Sequence, residues 1–130
     1  MSDQGKEQND PLSDAAFALG ESFLLQGMYD KAQIIFEGLA ALYPGQKACA
    51  LAYAEALLLD QQSLKALDHF LFINAKFKDE GQALLGAARA LILLERSVEA
   101  KPHLERVMDE RVGSSFQERA LARSILTFIS

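Results

Sequence analysis

The 130-residue chain contains no tryptophan, a single cysteine and only three prolines. Because Cys49 has no second cysteine to pair with, an intrachain disulfide is excluded, and a reducing compartment is the simpler expectation. Half of the residues are apolar, which together with the scarcity of proline favours a compact, mostly helical globule. The length allows one domain with a substantial core and is short for two.

Positive charge and long apolar runs are also scarce. The 13 Lys and Arg residues are outnumbered by 18 Asp and Glu, giving a net charge of -5, which argues against general nucleic-acid binding. Apolar stretches such as 87–94 fall short of a membrane span, and the polar segment 1–14 lacks the apolar centre of a secretory signal. We therefore expect no nucleic-acid partner, no membrane insertion and a cytoplasmic location.

A 34-residue period organises what the sequence does contain. The phrase Ala32-x3-Phe36 recurs as Ala66-x3-Phe70 and as Ala100-x3-Leu104. Such a period predicts helix-turn-helix repeats, in which small residues let two helices approach and bulky residues fill the space around the crossing. Small residues recur at the same period in the first helix of each pair: Gly20, Ala54 and Ala88. Three further apolar positions share the period: Leu39, Ile73 and Val107.

The repeat predicts an all-α fold in a single domain over residues 13–129. Helices are expected at 13–26, 29–43, 46–60, 63–77, 80–94 and 97–109, in three repeats spanning 13–46, 47–80 and 81–112. A seventh helix at 114–129 would cover the open face of the last repeat, and its Ser115-x2-Glu118 is a candidate capping box. The polar residues 1–12 are predicted to form a disordered tail.

Several single residues predict where the helices begin and end. Gly27 and the pair Pro44-Gly45 should terminate helices. Pro102 should either kink its helix or delay its start. Serines at the expected helix starts are candidate N-caps: Ser13, Ser63 and Ser97.

These spacings resemble the tetratricopeptide repeat (TPR) family over residues 13–112. The chain departs from the family pattern where Ala16 and Ala50 replace a usual Trp, and where Lys78 and Val112 stand at positions that often hold Pro. The resemblance implies a right-handed superhelix whose concave face binds peptides or protein segments.

A narrower resemblance concerns small acidic TPR proteins with a polar N-terminal tail and a short capping helix. The phrases Tyr29-Asp30-Lys31-Ala32-x3-Phe36-x2-Leu39 and Glu99-Ala100-Lys101-x2-Leu104-Glu105 are similar to those of TPR chaperones of bacterial type III secretion. That similarity implies a cytoplasmic chaperone that holds a translocator or needle subunit before export.

The first helix of each repeat carries a second, mostly apolar stripe beside the residues needed for helix crossing. An ordinary solvated helix keeps that side polar, and in the TPR superhelix these positions line the concave groove. Either the protein fills the groove itself, with the C-terminal helix or the N-terminal tail, or the groove holds an apolar partner segment. The twelve groove residues at the 34-residue period are Phe17, Glu21, Leu24, Leu25, Leu51, Glu55, Leu58, Leu59, Leu85, Arg89, Ile92 and Leu93.

The sequence contains no residue set that would carry catalysis or hold a metal. It lacks a Gly-rich phosphate loop, a Ser-His-Asp set and paired carboxylates near a His. His69 and His103 share the 34-residue spacing, but helices on neighbouring repeats pack about 10 Å apart and no third ligand is evident. Cys49, between two alanines, is interpreted as a packing residue. We expect no enzyme activity, no cofactor and no metal.

The predicted function is therefore that of a cytoplasmic chaperone or adaptor for a client segment that binds as an amphipathic helix or an extended apolar peptide. The alternative is a self-assembling scaffold module, and a homodimer or a co-chaperone partner is compatible with either function. A clamp for the C-terminal carboxylate of a heat-shock protein needs Lys, Arg and Asn on the first helices. Residues 13–26 contain no basic residue and the second helix pair offers only Lys47, which disfavours such a clamp.

Overall fold

The computed structural model describes residues 10–78 and 80–129, and within these ranges the chain is helical with no strand. The predicted all-α fold is confirmed, and every helix end lies within about two residues of its predicted position. The predicted disordered tail lies mostly outside the described residues. The helices are α1 (Pro11–Leu25), α2 (Tyr29–Leu42), α3 (Lys47–Leu59), α4 (Ser63–Phe77), α5 (Gly81–Leu93), α6 (Ser97–Val107) and α7 (Phe116–Ile129), with a 3-10 turn at Glu110–Val112 before α7.

The first helix begins earlier than the sequence predicted because Asp10, not Ser13, is its N-cap. The Asp10 carboxylate accepts a hydrogen bond from the Leu12 backbone N–H at 3.0 Å. Pro11 suits the first helical position, where a backbone N–H would have no helical partner. Ser13 lies buried in the first turn instead, so residues 10–12 belong to the ordered fold.

The other helix starts show which predicted caps are used. Ser63 and Ser97 are the first helical residues rather than N-caps, and neither α4 nor α6 has a side-chain cap bond. The capping box of α7 is confirmed. The Ser115 N–H donates to Glu118 Oε1 at 2.9 Å, and the Glu118 N–H donates to Ser115 Oγ at 3.0 Å.

Helix ends follow the expected breakers. Gly27 adopts a φ of 75° directly after α1, a left-handed conformation that glycine enters without a Cβ penalty. The second helix ends at Leu42, before Pro44. Pro102 does not delay α6, which begins at Ser97 and contains it. Because proline has no N–H, the Val98 carbonyl lacks its usual helical donor.

The chain divides into two compact units, with the boundary between Gln61 and Gln62. In the first unit, α2 packs on both α1 and α3. In the second unit, α5 packs on α4 and α6, and α7 packs on α6 and also contacts α5. The boundary falls between the two helices of the predicted second repeat, so the single domain and the superhelix remain predictions.

Residues that share the 34-residue period form the core. Ala32, Ala66 and Ala100 have no exposed surface. The Phe36 ring covers Gly20, where an added Cβ would lie 2.6 Å from Phe36 Cζ. This contact explains the small residue predicted there. The bulky and apolar partners predicted with them are all buried: Phe36, Phe70, Leu104, Leu39, Ile73 and Val107.

Two core details differ from the predicted pattern. In the second unit, the ring of Phe70 packs against Gly86, a glycine outside the predicted small-residue column. Leu19, beside the buried Gly20 on the first helix of its repeat, is 47% exposed and lies outside the core. Helix α1 packs on α2, and this contact leaves about half of the Leu19 side chain exposed.

Candidate functional site

The groove residues of α1 range from the core edge to open surface. Phe17 makes an edge-to-face contact with Phe36, with ring centroids 5.2 Å apart and planes at 63°, so this ring also supports the packing of α1 on α2. Leu24 is half-buried and Glu21 is exposed. Leu25, in the last turn, is 90% exposed. The part of this stripe that is open to a partner is therefore the C-terminal end of α1.

On α3, as on α1, the groove leucine in the last turn is exposed, but the other groove residues are more buried. Leu51 and Glu55 are half-buried. Leu58 is only 4% exposed, whereas its neighbour Leu59 is 39% exposed. Leu58 therefore contributes mainly to the protein's own core, and Leu59 is accessible to a partner.

Helix α5 shows the same order in the second unit. Leu85 is only 6% exposed, while Arg89 and Ile92 are half-buried. Leu93 is 61% exposed at the end of the helix. As on α3, one leucine of the predicted site is committed to the core and the last leucine is open.

The three helices share one feature: the most exposed apolar groove residue of each is the leucine at its C-terminal end. Leu25, Leu59 and Leu93 are spaced by 34 residues, and each is exposed within its own unit. Helices α1 and α3 both pack on α2, so the first unit contains two of these leucines, and the second unit contains the third. Sequence periodicity identified the groove positions but could not show which of them are exposed.

The charges on these helices are unequal. Glu21 and Glu55 lie on α1 and α3, and Arg89 occupies the same repeat position on α5. The only basic residue on α1 or α3 is Lys47, at the start of α3. The first unit therefore presents carboxylates beside its exposed leucines, and the second unit presents a guanidinium.

The nucleophilic and titratable side chains in the core are in unreactive surroundings. Cys49 is buried, and loss of solvent raises the pKa of its thiol, so the reactive thiolate is disfavoured. Partial burial lowers the pKa of His103, which favours the neutral ring. Among residues 10–78 and 80–129, no group of three or more His, Cys, Asp or Glu side chains could hold a metal ion.

Comparison with known proteins supports the repeat on two grounds. Residues 14–45 match the family model described as tetratricopeptide repeat, which corresponds to the first predicted repeat. A solved structure described as the first TPR of Spaghetti (RPAP3) bound to the HSP90 peptide SRMEEVD superposes with a TM-score of 0.74, covering 90% of this chain and 92% of that one at 20% identity. The chain has a TPR fold. No curated protein sequence matches it.

Within the TPR fold, α1–α2 is a helix pair of the first unit and α5–α6 is a helix pair of the second, and α7 is an additional C-terminal helix that packs on α6 and contacts α5. In the described parts of the chain, none of the helices combines the length and apolar character that a bilayer crossing requires.

Proposed function

We propose that this chain is a protein-binding TPR module whose first helices hold an apolar or amphipathic segment of a client protein. The observation that carries the proposal is the set of three exposed leucines, Leu25, Leu59 and Leu93, at one repeat position. Fully burying a leucine stabilises by about 1.5–3 kcal/mol. The two leucines of the first unit, Leu25 and Leu59, therefore offer a useful gross energy before the client's ordering cost is subtracted, and Leu93 offers a further contact on the second unit.

The half-buried residues beside these leucines extend the same surface. Phe17, Leu24, Leu51 and Ile92 each retain some exposure, so a bound segment would gain apolar contact along each helix. Leu58 and Leu85 are buried, so they would hold the helices in place and would not contact the client. In this proposal, the binding contacts come from the open members of the predicted set, and the buried members fix the position of the helices.

The charges of the first helices favour basic side chains on a segment bound to the first unit. Glu21 and Glu55 would attract basic side chains of a segment on the first unit, and Arg89 would attract a carboxylate on the second. Charges at the rim of an interface contribute more to register and association rate than to affinity. The proposed client is therefore an amphipathic segment with positive charge near α1 and α3.

The same charges disfavour the type of peptide carried by the RPAP3 TPR structure. That peptide, SRMEEVD, contains three acidic residues, and α1 and α3 would present Glu21 and Glu55 to it with only Lys47 as a basic residue. We therefore propose that this chain does not act as a co-chaperone for such a C-terminal peptide.

The finer proposal is that the chain acts in the cytoplasm as a chaperone for a type III secretion translocator or needle subunit. Its support is the pair of sequence phrases around Ala32 and Ala100, together with the acidic composition. The single cysteine, which has no partner in the sequence for an intrachain disulfide, suits a reducing compartment.

The test uses substitutions at exposed positions, which change the surface without emptying the core. The double variant Leu25→Glu/Leu93→Glu should lose the client proteins that wild type retains in a pull-down from the native host. Val98→Glu, at an 81% exposed site on α6, is the matched control and should retain them. If the double variant and the control retain the same proteins as wild type, the first helices are not the binding surface.

A further inference from the structure

An exposed apolar face on α2 is not explained by the fold or by the proposed groove. It consists of Ile34, Gly38, Ala41 and Leu42, which lie within about 100° of one another around the helix at 100° per residue. Ile34 is 70% exposed and Leu42 is 71% exposed, and Gly38 and Ala41 are exposed as well. We call these four residues the α2 face.

Gly38 is the most unusual member of the α2 face. It lies in the interior of a helix, where glycine is less favourable than alanine. A Cβ added to Gly38 would meet nothing within 4 Å, so no packing contact within the protein requires glycine there. The missing side chain leaves a gap between Ile34 and Leu42 that is open to solvent.

A second exposed apolar face lies on α4 and has the opposite shape. It consists of Leu64, Leu71, Phe72 and Ala75, again within about 100° of one another. Phe72 is 63% exposed and Leu64 is 58% exposed. Phe72 occupies in its repeat the position that Gly38 occupies in the first, 34 residues earlier. We call these residues the α4 face; it projects an aromatic ring where the α2 face has a gap.

The charges around the two faces are complementary. Asp30 and Glu37 lie along one edge of the α2 face, whereas Lys65 and Lys76 lie along the opposite edge of the α4 face. When two helices pack face to face with their chains running in the same direction, the left edge of one face meets the right edge of the other. In that arrangement the acidic edge of the α2 face lies against the basic edge of the α4 face. Each face also includes one charged residue within its span, and the two differ in sign: Lys31 on α2 and Asp68 on α4.

We infer that the α2 face of one molecule binds the α4 face of a second copy of this chain, with Phe72 of one inserted at Gly38 of the other. The contact is heterologous, so a pair of molecules keeps one unused α2 face and one unused α4 face and can add further copies. The surface lies on the second helices of the repeats, whereas the proposed client surface lies on the first helices. The two proposals can therefore fail separately.

The test is sedimentation velocity over a wide range of protein concentration, with variants that each alter one face. Wild type should show a sedimentation coefficient that rises with concentration. Phe72→Ala removes the projecting ring and Gly38→Leu fills the gap, so each should weaken self-association about tenfold or more, as truncating a central aromatic does at other interfaces. Val98→Ala, at an exposed site on α6 outside both faces, should associate as wild type does.

Mixing the variants tests the heterologous geometry directly. Gly38→Leu retains an intact α4 face and Phe72→Ala retains an intact α2 face, so an equimolar mixture should recover association that neither variant shows alone. Gly38→Ala should raise the melting temperature by about 2–6 °C, because alanine is the better helix former, and yet weaken association. A wild type that stays monomeric throughout, variants that associate as wild type does, or a mixture without recovery would each overturn the inference.

Discussion

The Tyr43 hydroxyl donates a hydrogen bond to the Asp10 carboxylate, which connects the residue before α1 to the residue after α2. The same carboxylate caps α1 through the Leu12 N–H. The two helices of the first pair are therefore tied at the end where α1 begins and α2 finishes. This tie lies outside the repeat columns, and its acceptor is in the segment that the sequence assigned to a disordered tail.

This tie predicts a loss of stability in acid. The hydrogen bond from Tyr43, followed by that from Leu12, lowers the pKa of Asp10 below its usual 3.8. A carboxyl group with a lowered pKa in the folded state stabilises the protein above its unfolded pKa, and this contribution is lost as the pH falls through the folded value. The Asp109 carboxylate, held to a pKa of about 2 chiefly by hydrogen bonding from the Arg111 side chain, acts in the same direction.

The measurement is urea unfolding followed by circular dichroism between pH 6 and pH 2. Wild type should lose unfolding free energy as the pH falls below about 4. Tyr43→Phe should be less stable than wild type near neutral pH and should lose less on acidification. Equal acid losses in the two proteins would contradict the role assigned to the Asp10–Tyr43 bond.

Two glycines should respond to alanine in opposite directions. At Gly86, the new Cβ would overlap the Phe70 ring, which is 2% exposed and has little room to move. Overpacking of this kind costs about 1–3 kcal/mol. Gly38→Ala meets open space and should instead gain up to about 1 kcal/mol from helix propensity. Urea midpoints that shift in the same direction for both variants would contradict this packing.

Adjacent leucines on α3 should separate folding from binding. Leu58→Glu places a carboxylate at a site that is 4% exposed and should destabilise the protein by several kcal/mol. Leu59→Glu, at a 39% exposed site, should change stability much less and should reduce client binding. Thermal melts of both variants, compared with retention of client by Leu59→Glu, distinguish the two roles.

The capping box predicts a local effect at α7. Ser115→Ala removes the hydroxyl that accepts the Glu118 N–H and should cost about 1 kcal/mol. Ser124→Ala is the matched control, because Ser124 bonds only to the Ala120 carbonyl in the middle of the same helix. Amide hydrogen exchange in the first turn of α7 should accelerate in Ser115→Ala and stay near wild type in the control.

The charge of the first helices predicts selectivity among peptides. The acidic peptide SRMEEVD, which the RPAP3 TPR structure carries, should bind this chain weakly or not at all, because Glu21 and Glu55 repel it. Glu21→Lys/Glu55→Lys should bind it more tightly than wild type. Fluorescence polarisation with the labelled peptide measures both, and tight binding to wild type would contradict the proposed charge preference.

Periodicity in the sequence was sufficient to predict the helices and their core columns. Ala32, Ala66 and Ala100 are buried as expected, because a residue at a helix crossing must be small in every repeat. Periodicity could not separate Leu58 from Leu59. Successive residues on a helix point about 100° apart, and the edge of the buried zone depends on how far each neighbouring helix is rotated.

Local signals were less decisive where several residues compete for one role. Ser13 and Asp10 are both good N-caps, and Pro11 between them decides in favour of Asp10 because proline suits the first helical position. Gly86 was missed because the contact that requires it comes from Phe70, in the preceding repeat. The small residues were predicted only from the crossing of the two helices within one repeat.

The burial of Cys49 gives the first unit a built-in kinetic reporter. Cys49 is 1% exposed and its thiol has a raised pKa, so a thiol-specific reagent should react with it mainly when α3 separates from its neighbours or the protein unfolds. Because the sequence contains no other cysteine, the reaction rate of the unmodified protein reports the exposure of this one residue. A client that bridges α1 and α3 would slow the reaction, so binding can be followed without a label.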